Sequence, residues 1–447
     1  MSEHFIERSR YLCALGGAAA TVTALPGAIP ILHSASGCAG NFAWTQNGGS
    51  GLQVGGYCGA LTTPSSNIQE HEVVFGGDDR LREQVSSTLK IMDGELFVVL
   101  TGCVPEIIGD DIKSVVAEFS GEGNTIIGAE TGGFRGNSYW GYDLVLQALF
   151  RDYVAKDPDK EKLKVNLWGI APYGDPFWRG NLEGIRQILE HLGLRVNSFF
   201  TVKDTLEDIR KAGSAVLNIV VSEVYGLGAA TFADERHDIP FLNTPLPIGP
   251  TATVAFIRAV AEKLALGAGS VEAVIALQKK EYFRLLEPLT DCWNDLDLQR
   301  YAVVVGDANY AGALTRFLAD DLGWLPELTV CTDPLQQEEK QRVADGISSL
   351  DSGYQTHLVF ETDASQVIHH LRAKWPDGNG ATYHNSFSPA FVVGSSLERD
   401  LALTIGAGHL SVSFPVANRA VIDRGYTGFR GGLRLTEDLI SAIVAGR

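Results

Sequence analysis

The chain has 447 residues, 45% of them hydrophobic, with 49 glycines and a formal net charge of −18. That length exceeds what one core fills, and the composition excludes a disordered or fibrous chain in favour of a large α/β protein with many tight turns. The acidic balance repels phosphate backbones, which excludes a nucleic-acid binder and suits a basic patch on a protein partner.

In chain order, Arg8-Ser9-Arg10 and the apolar stretch Tyr11 to Ala28 have the outline of a secretory signal, but Gly16, Gly17, Pro26 and Gly27 break it. No other apolar run is long enough to span a membrane, so none is expected to, and the protein is placed in the cytoplasm. A strand is expected at Ile29–His33, then a Gly-rich stretch, Gly48–Gly59, a helix at Asp79–Lys90 and a strand at Leu96–Thr101. Asp152–Glu161, charged and holding Pro158, reads as a linker that closes a first domain, 1–158.

A second domain, 159–298, opens with a strand at Lys164–Ile170. Apolar residues at Leu182, Ile185, Ile188, Leu189 and Leu192 mark a helix, followed by strand, helix and strand at Val196–Val202, Thr205–Ala212 and Ala215–Val221. Thr251–Ala265 is a further helix. The third domain, 299–447, has strands at Tyr301–Val305, Leu328–Cys331, His357–Phe360, Ala390–Val393 and Leu410–Phe414. It also has a turn at Gly306-Asp307-Ala308-Asn309 and helices at Tyr310–Leu322 and Arg434–Val444. Strand–helix alternation of this kind implies parallel sheets, so three doubly wound, Rossmann-like units are expected around a central cleft.

Several chemistries are missing. There is no Gly-x4-Gly-Lys-Ser/Thr loop, no Gly-x-Gly-x-x-Gly after a strand, no Gly-x-Ser-x-Gly elbow and no His-Glu-x-x-His, so ATP hydrolysis, nicotinamide binding and those hydrolytic sites are not expected in this chain. Six cysteines stand at 13, 38, 58, 103, 292 and 331, none in a Cys-x-x-Cys pair, which favours reduced thiols or thiolate ligands over a zinc ribbon or disulfide scaffold. Cys13, Cys38 and Cys103 each sit beside an apolar segment and close to Gly, Ser or Thr, where a bulky inorganic cluster can approach the backbone. A lone apolar Cys is more often a small buried hydrophobe, so spacing alone leaves both readings open.

Four blocks in order carry a resemblance: Cys13-Ala-Leu-Gly16, His33-Ser-Ala-Ser-Gly-Cys38, Gln69-Glu-His-Glu-Val-Val-Phe-Gly-Gly77 and Gly102-Cys103-Val-Pro-Glu-Ile-Ile-Gly-Asp-Asp111. Together they resemble the first domain of the nitrogenase component 1 family. Weaker similarity runs through Gly141-Tyr-Asp143, Asn243-Thr-Pro-Leu-Pro-Ile-Gly249, Phe414-Pro-Val-Ala-Asn-Arg419 and Gly425-Tyr-Thr-Gly428. The resemblance implies an α/β protein of three doubly wound parallel-sheet domains, in which Cys13, Cys38 and Cys103 bind half of an interfacial [8Fe-7S] P-cluster; relatives that reduce protochlorophyllide hold a smaller [4Fe-4S] cluster instead. It also implies an α-type partner in an α2β2 heterotetramer, a catalytic iron–sulfur cofactor in that partner and an ATP-hydrolysing iron–sulfur reductase protein as electron donor.

In the family, the α-type subunit holds the catalytic cofactor through one Cys and one His. Cys292 and His384 are the candidates here, but they lie closer together than that pattern, and Phe414-Pro-x-x-x-Arg419 with Gly425-Tyr-x-Gly428 looks β-type. Cys292, Cys331 and His384 are therefore read as structural and the chain as β-like. Where nitrogenase β subunits carry a Ser that ligates the oxidised cluster, this chain has Gly133, so serine ligation is expected to be absent; the extra Cys58 reads as a free thiol. His33 and Glu106, near the cluster motifs, are read as hydrogen-bonding groups ahead of proton carriers. The expected function is electron relay in a nitrogenase-like reductase such as a methylthio-alkane reductase. Dinitrogen reduction and a non-catalytic scaffold for cofactor assembly are the alternatives; a two-lobed binding protein would share the lobes but need an export signal.

Overall fold

The computed structural model describes residues 6–53, 62–120, 124–376 and 387–446, with only the backbone described at helical positions 43–47, 292 and 294. Among these residues the strands form three separate sheets, and every strand pair is parallel. The first sheet has the order β1 (Ala28–His33), β2 (Leu96–Thr101), β3 (Ile126–Ala129). The second comprises β4 (Lys164–Trp168), β5 (Arg195–Asn197), β6 (Leu217–Val220) and β7 (Phe241–Asn243), in the order β5-β4-β6-β7. The third comprises β8 (Tyr301–Gly306), β9 (Leu325–Cys331), β10 (His357–Phe360), β11 (Ala390–Gly394) and β12 (Gly408–Ser411), in the order β10-β9-β8-β11-β12. That last order reverses direction between β8 and β11, the mark of a doubly wound sheet.

Helices cover both faces, which is why the strands read as continuous apolar runs. In β2, Phe97 and Val99 face a cluster with Leu81, Val85, Ile112 and Val115, while Leu96, Val98 and Leu100 face the main core. The main core runs without a break through all three sheets.

Sequence and structure part company at several places. The small residues of the signal-like stretch form a buried helix, Ala14–Ala24, that crosses the helix Ser138–Asp152 at backbone contact. A Cβ on Gly17 would lie 1.8 Å from the Ser138 carbonyl oxygen, and one on Gly141 2.0 Å from that of Ala14, so only glycine permits the crossing. The strand expected at Val196–Val202 ends at Asn197, because Ser198 and Thr201 turn their hydroxyls and N–H groups to the Asp204 carboxylate. The strand expected at Leu410–Phe414 lies at Gly408–Ser411, and the N–H groups of Val412 and Ser413 both donate to the Gly394 carbonyl. The final helix is longer than expected, Gly428–Ala445, and packs on the helices Gly249–Lys263 and Trp178–His191. No described helix is long and apolar enough to cross a membrane.

The three sheets meet at a central cleft of about 180 Å³, lined by Tyr139, Trp140, Tyr225, Leu227, Leu335 and Arg342 among others. Beneath it lie three fully buried carboxylates. Asp175 accepts the Tyr310 hydroxyl, the Asn181 amide and the Phe177 N–H; Asp307 accepts the Asn309 and Tyr310 N–H groups and the Ser413 and Tyr139 hydroxyls; Asp333 accepts the Tyr225 hydroxyl and the Ala308 N–H. Among the described residues none of these bonds comes from a basic side chain. Burial therefore dominates: it pushes Asp175 up to about 7 and raises Asp307 and Asp333, whose fields also oppose each other.

A carboxyl group whose folded pKa exceeds its unfolded value gives stability that is complete below about pH 4 and is lost as pH rises through the folded pKa. The protein is accordingly expected to lose stability between about pH 4 and pH 7. Asp333→Asn should make that slope shallower by up to about 1.4 kcal/mol per pH unit across this window. Denaturation midpoints of both proteins at a series of pH values check this; parallel curves would refute it.

Candidate metal centre

Strands β1, β2 and β3 all end at the same edge of the first sheet, and the residues that follow them make the site. His33 ends β1 and the chain enters the helix Ser36–Gly49, with Cys38 in its first turn. Thr101 ends β2, and Cys103 opens the helix Cys103–Ile108. After β3 the chain makes the short turn Gly133–Arg135. Cys13 caps the helix Ala14–Ala24 and pairs with Asn137, just beyond that turn, while the Ala14 N–H donates to the Gly136 carbonyl at 2.9 Å.

These segments bring two of the thiols expected from the sequence, Cys13 and Cys103, to Gly133, and the third, Cys38, within electrostatic reach of both. The Gly133 N–H donates to the Cys103 sulfur at 3.2 Å. A Cβ there would lie 3.0 Å from the Cys103 Sγ and 3.3 Å from the Cys13 Sγ. Cys38 lies within the field of both: burial pushes its thiol up, the Cys13 and Cys103 charges add to the rise, and a Ser34 hydrogen bond opposes it. Cys13 and Cys38 are partly buried and Cys103 is exposed. Among the described residues no three His, Cys, Asp or Glu side chains come close enough to bind one metal ion. Thiols are soft donors of the kind that iron–sulfur clusters use.

The four sequence blocks are neighbours in space. His33 is fully buried; its Nδ1 pairs with the Ser66 hydroxyl at 2.9 Å and its Nε2 with Asp110 at 3.0 Å. Burial lowers its pKa, against the opposing pull of Asp110, so it is neutral near pH 7. Asp110 also accepts the Gly77 N–H at 2.8 Å, and Asp78 accepts the Asp111 N–H at 3.0 Å. This knot ties the segments of Cys38 and Cys103 to the Gln69–Gly77 block. Glu106 is likewise fully engaged, by Thr101, Gly132 and Arg135, which fits a hydrogen-bonding role.

Cys331 is a buried thiol at the end of β9, raised well above its usual range by burial and then by Asp333. Cys58, His384 and the side chain of Cys292 lie outside the described residues. Sequence reasoning missed Arg135 and Thr101, whose importance depends on contacts with Glu106 that no local pattern announces.

The family model described as nitrogenase component 1 type oxidoreductase matches residues 13–444. A nitrogenase iron-molybdenum cofactor biosynthesis protein NifE of Methanococcus maripaludis is 23% identical over 93% of this chain and 80% of its own. A nitrogenase vanadium-iron protein beta chain of Trichormus variabilis is 22% identical over 97% of this chain and 93% of its own. Among solved structures, nitrogenase Cp1 at pH 6.5 superposes with a TM-score of 0.79 at 18% identity, over 100% of this chain and 95% of that one.

Asp110→Ala would leave buried His33 and the Gly77 N–H without their acceptor. A loss of about 1–3 kcal/mol is expected for such an orphaned buried group, read by chemical denaturation; an unchanged midpoint would show that the knot adds nothing.

Proposed function

This chain belongs to the nitrogenase component 1 type oxidoreductases, and from that premise we propose that it is the β-like subunit of a nitrogenase-like, ATP-dependent reductase. In this reading Cys13, Cys38 and Cys103 hold half of an [8Fe-7S] P-cluster at the interface with an α-type partner, in a cytoplasmic α2β2 heterotetramer served by an ATP-hydrolysing iron–sulfur reductase protein. The observation that carries it is the approach of Cys13 and Cys103 to the bare Gly133, with Cys38 within electrostatic reach of both, where the strands of the first sheet end.

The residues present fit such a group. Three thiolates cannot complete an eight-iron cluster, nor supply the fourth ligand of a [4Fe-4S] one, so a partner must contribute. The exposed side of the site suits that contact: Phe134 stands beside Gly133, Ile107 exposes 73% of its surface on the helix that Cys103 opens, and Val74 and Phe75 expose 72% and 76% on the helix packed against it. Negative charge on the thiolates is met by the N–H of Gly133 and by the amino ends of the helices that Cys13 caps and Cys38 opens. When bound, the cluster supplies reversible electron transfer at low potential. The catalytic cofactor is assigned to the partner because Cys292 and His384 lie closer together than the α-type pattern and the runs Phe414-Pro-x-x-x-Arg419 and Gly425-Tyr-x-Gly428 look β-type.

A second reading, a scaffold that holds a cofactor precursor during assembly, draws on the NifE likeness. Anaerobic purification with the partner separates the two, since an electron-transfer subunit keeps its iron when mixed with an apo-acceptor and a scaffold surrenders it. Cys→Ala at positions 13, 38 and 103 is each expected to remove iron and activity, whereas the same change at Cys58, Cys292 or Cys331 leaves iron in place. Iron counts and electron paramagnetic resonance of the six variants decide this, and equal iron in all six would sink the assignment.

Between dinitrogen and a carbon–sulfur substrate such as a methylthio-alkane, the reading favours the latter, from Gly133 in place of the serine and from divergence after residue 112. Reduction of methylthio-alkanes with little ammonia formation is the expected outcome of assays on the purified complex. Efficient conversion of dinitrogen to ammonia would overturn the preference.

A further inference from the structure

We propose that Glu106 is a positioning residue for the metal centre: its carboxylate holds the Gly132–Gly133 peptide so that the Gly133 N–H stays on the Cys103 sulfur and raises the reduction potential of the iron bound there. The inference rests on the reading of Cys103 as an iron ligand.

Glu106 follows Cys103 on the same short helix, and its side chain is 7% exposed. One carboxylate oxygen accepts the Gly132 N–H at 2.6 Å and the Thr101 hydroxyl at 2.5 Å; the other accepts Arg135 Nε at 2.7 Å. Arg135 also donates to Glu130 at 2.7 Å, and its own N–H closes the turn on the Gly132 carbonyl at 2.9 Å. Thr101 in turn accepts the Thr131 N–H at 3.0 Å, and its carbonyl accepts the Thr131 hydroxyl at 2.9 Å. The ends of β2 and β3, the cysteine helix and the turn are thus clamped through one carboxylate.

Two adjacent glycines show what the clamp is for. A Cβ on Gly132 would come 2.9 Å from the Glu106 carboxylate, and one on Gly133 3.0 Å from the Cys103 Sγ. Neither position has a positive φ, so both are bare for close approach and not for backbone freedom. One N–H of the pair is spent on the clamp, and the next points at sulfur. A donor on a ligating sulfur stabilises the more negative, reduced state of an iron–sulfur centre, so its loss lowers the potential.

Glu106→Asp keeps the charge but shortens the reach, and Thr101→Val removes the supporting hydroxyl without changing charge. In the iron-loaded complex both are expected to keep their iron and to exchange the amides of residues 130–136 faster. Both should also lower the midpoint potential, Glu106→Asp by about 59 mV, a tenfold change in a one-electron equilibrium. Glu106→Gln keeps length and an acceptor for Gly132, so its exchange stays near wild type. Iron-replete Glu106→Asp and Thr101→Val with unchanged potential overturn the proposal. So does a shift confined to Glu106→Gln, which would report charge alone, or loss of turnover in Glu106→Gln at unchanged potential, which would report a proton carrier. If Glu106→Asp sheds iron, the Thr101→Val potential decides. Iron lost in Cys103→Ala together with a midpoint potential indifferent to both clamp variants defeats this inference alone; a wild-type complex without iron defeats the ligand reading as well.

Discussion

Parallel pairing of β1, β2 and β3 obliges the chain to leave all three strands at one edge, because each strand must be re-entered from the far end. The candidate centre exists because of that constraint. Cys38, Cys103 and Gly133 are each a few residues past a strand end, although 65 and 30 residues of unrelated chain separate them only in sequence and not in space. Cys13 has no strand of its own to deliver it. It arrives on a helix whose position depends on Gly17 and Gly141 letting two backbones touch. A side chain at either glycine would carry Cys13 away from the other two thiols.

Bringing three thiols together has an electrostatic cost that the protein only partly offsets. Burial is the main cause that raises the Cys38 pKa, and the Cys13 and Cys103 charges add to it. Offsetting groups are N–H donors and helix amino ends, not basic side chains: the nearby Arg135 is already paired with Glu106 and Glu130. On the proposed reading, full compensation falls to the iron that the sulfurs would hold, and occupancy and the integrity of the site would depend on each other.

How legible this was from sequence follows from the range of the interactions involved. The strand Leu96–Thr101 was readable to the residue, since both faces are buried and the apolar run is continuous, whereas His357–Phe360, a half-exposed strand at the sheet margin, was readable only from its short apolar run after His357. The helix Ala14–Ala24 was not, because its glycines and alanines, which look like breakers or a signal, are there for a crossing with a helix more than a hundred residues away. Strand β7 was missed because its three residues are too few to show a pattern. The cysteine trio was visible only through motif resemblance, because residue spacing says nothing of convergence. The Glu106–Thr101–Arg135 clamp and the Asp175–Asp307–Asp333 junction were invisible for the same reason: each member is ordinary alone, and its role is defined by partners that the fold supplies.

The two buried polar systems are linked mechanically. The turn that presents Gly133 runs on through Asn137, whose side chain accepts the Tyr139 and Trp140 N–H groups, into the helix Ser138–Asp152. Tyr139 stacks on Tyr225 with ring centroids 3.9 Å apart and planes 6° from parallel, and its hydroxyl reaches Asp307 at 3.4 Å. One helix start therefore joins the thiol-bearing edge of the first sheet to residues that follow β6 and β8 in the other two. Such a stacked and hydrogen-bonded contact resists sliding as well as separation. The second and third sheets, which bring no ligand to the trio, thus serve the centre by holding the Gly133 turn from behind, while its exposed side is left free for a partner to complete.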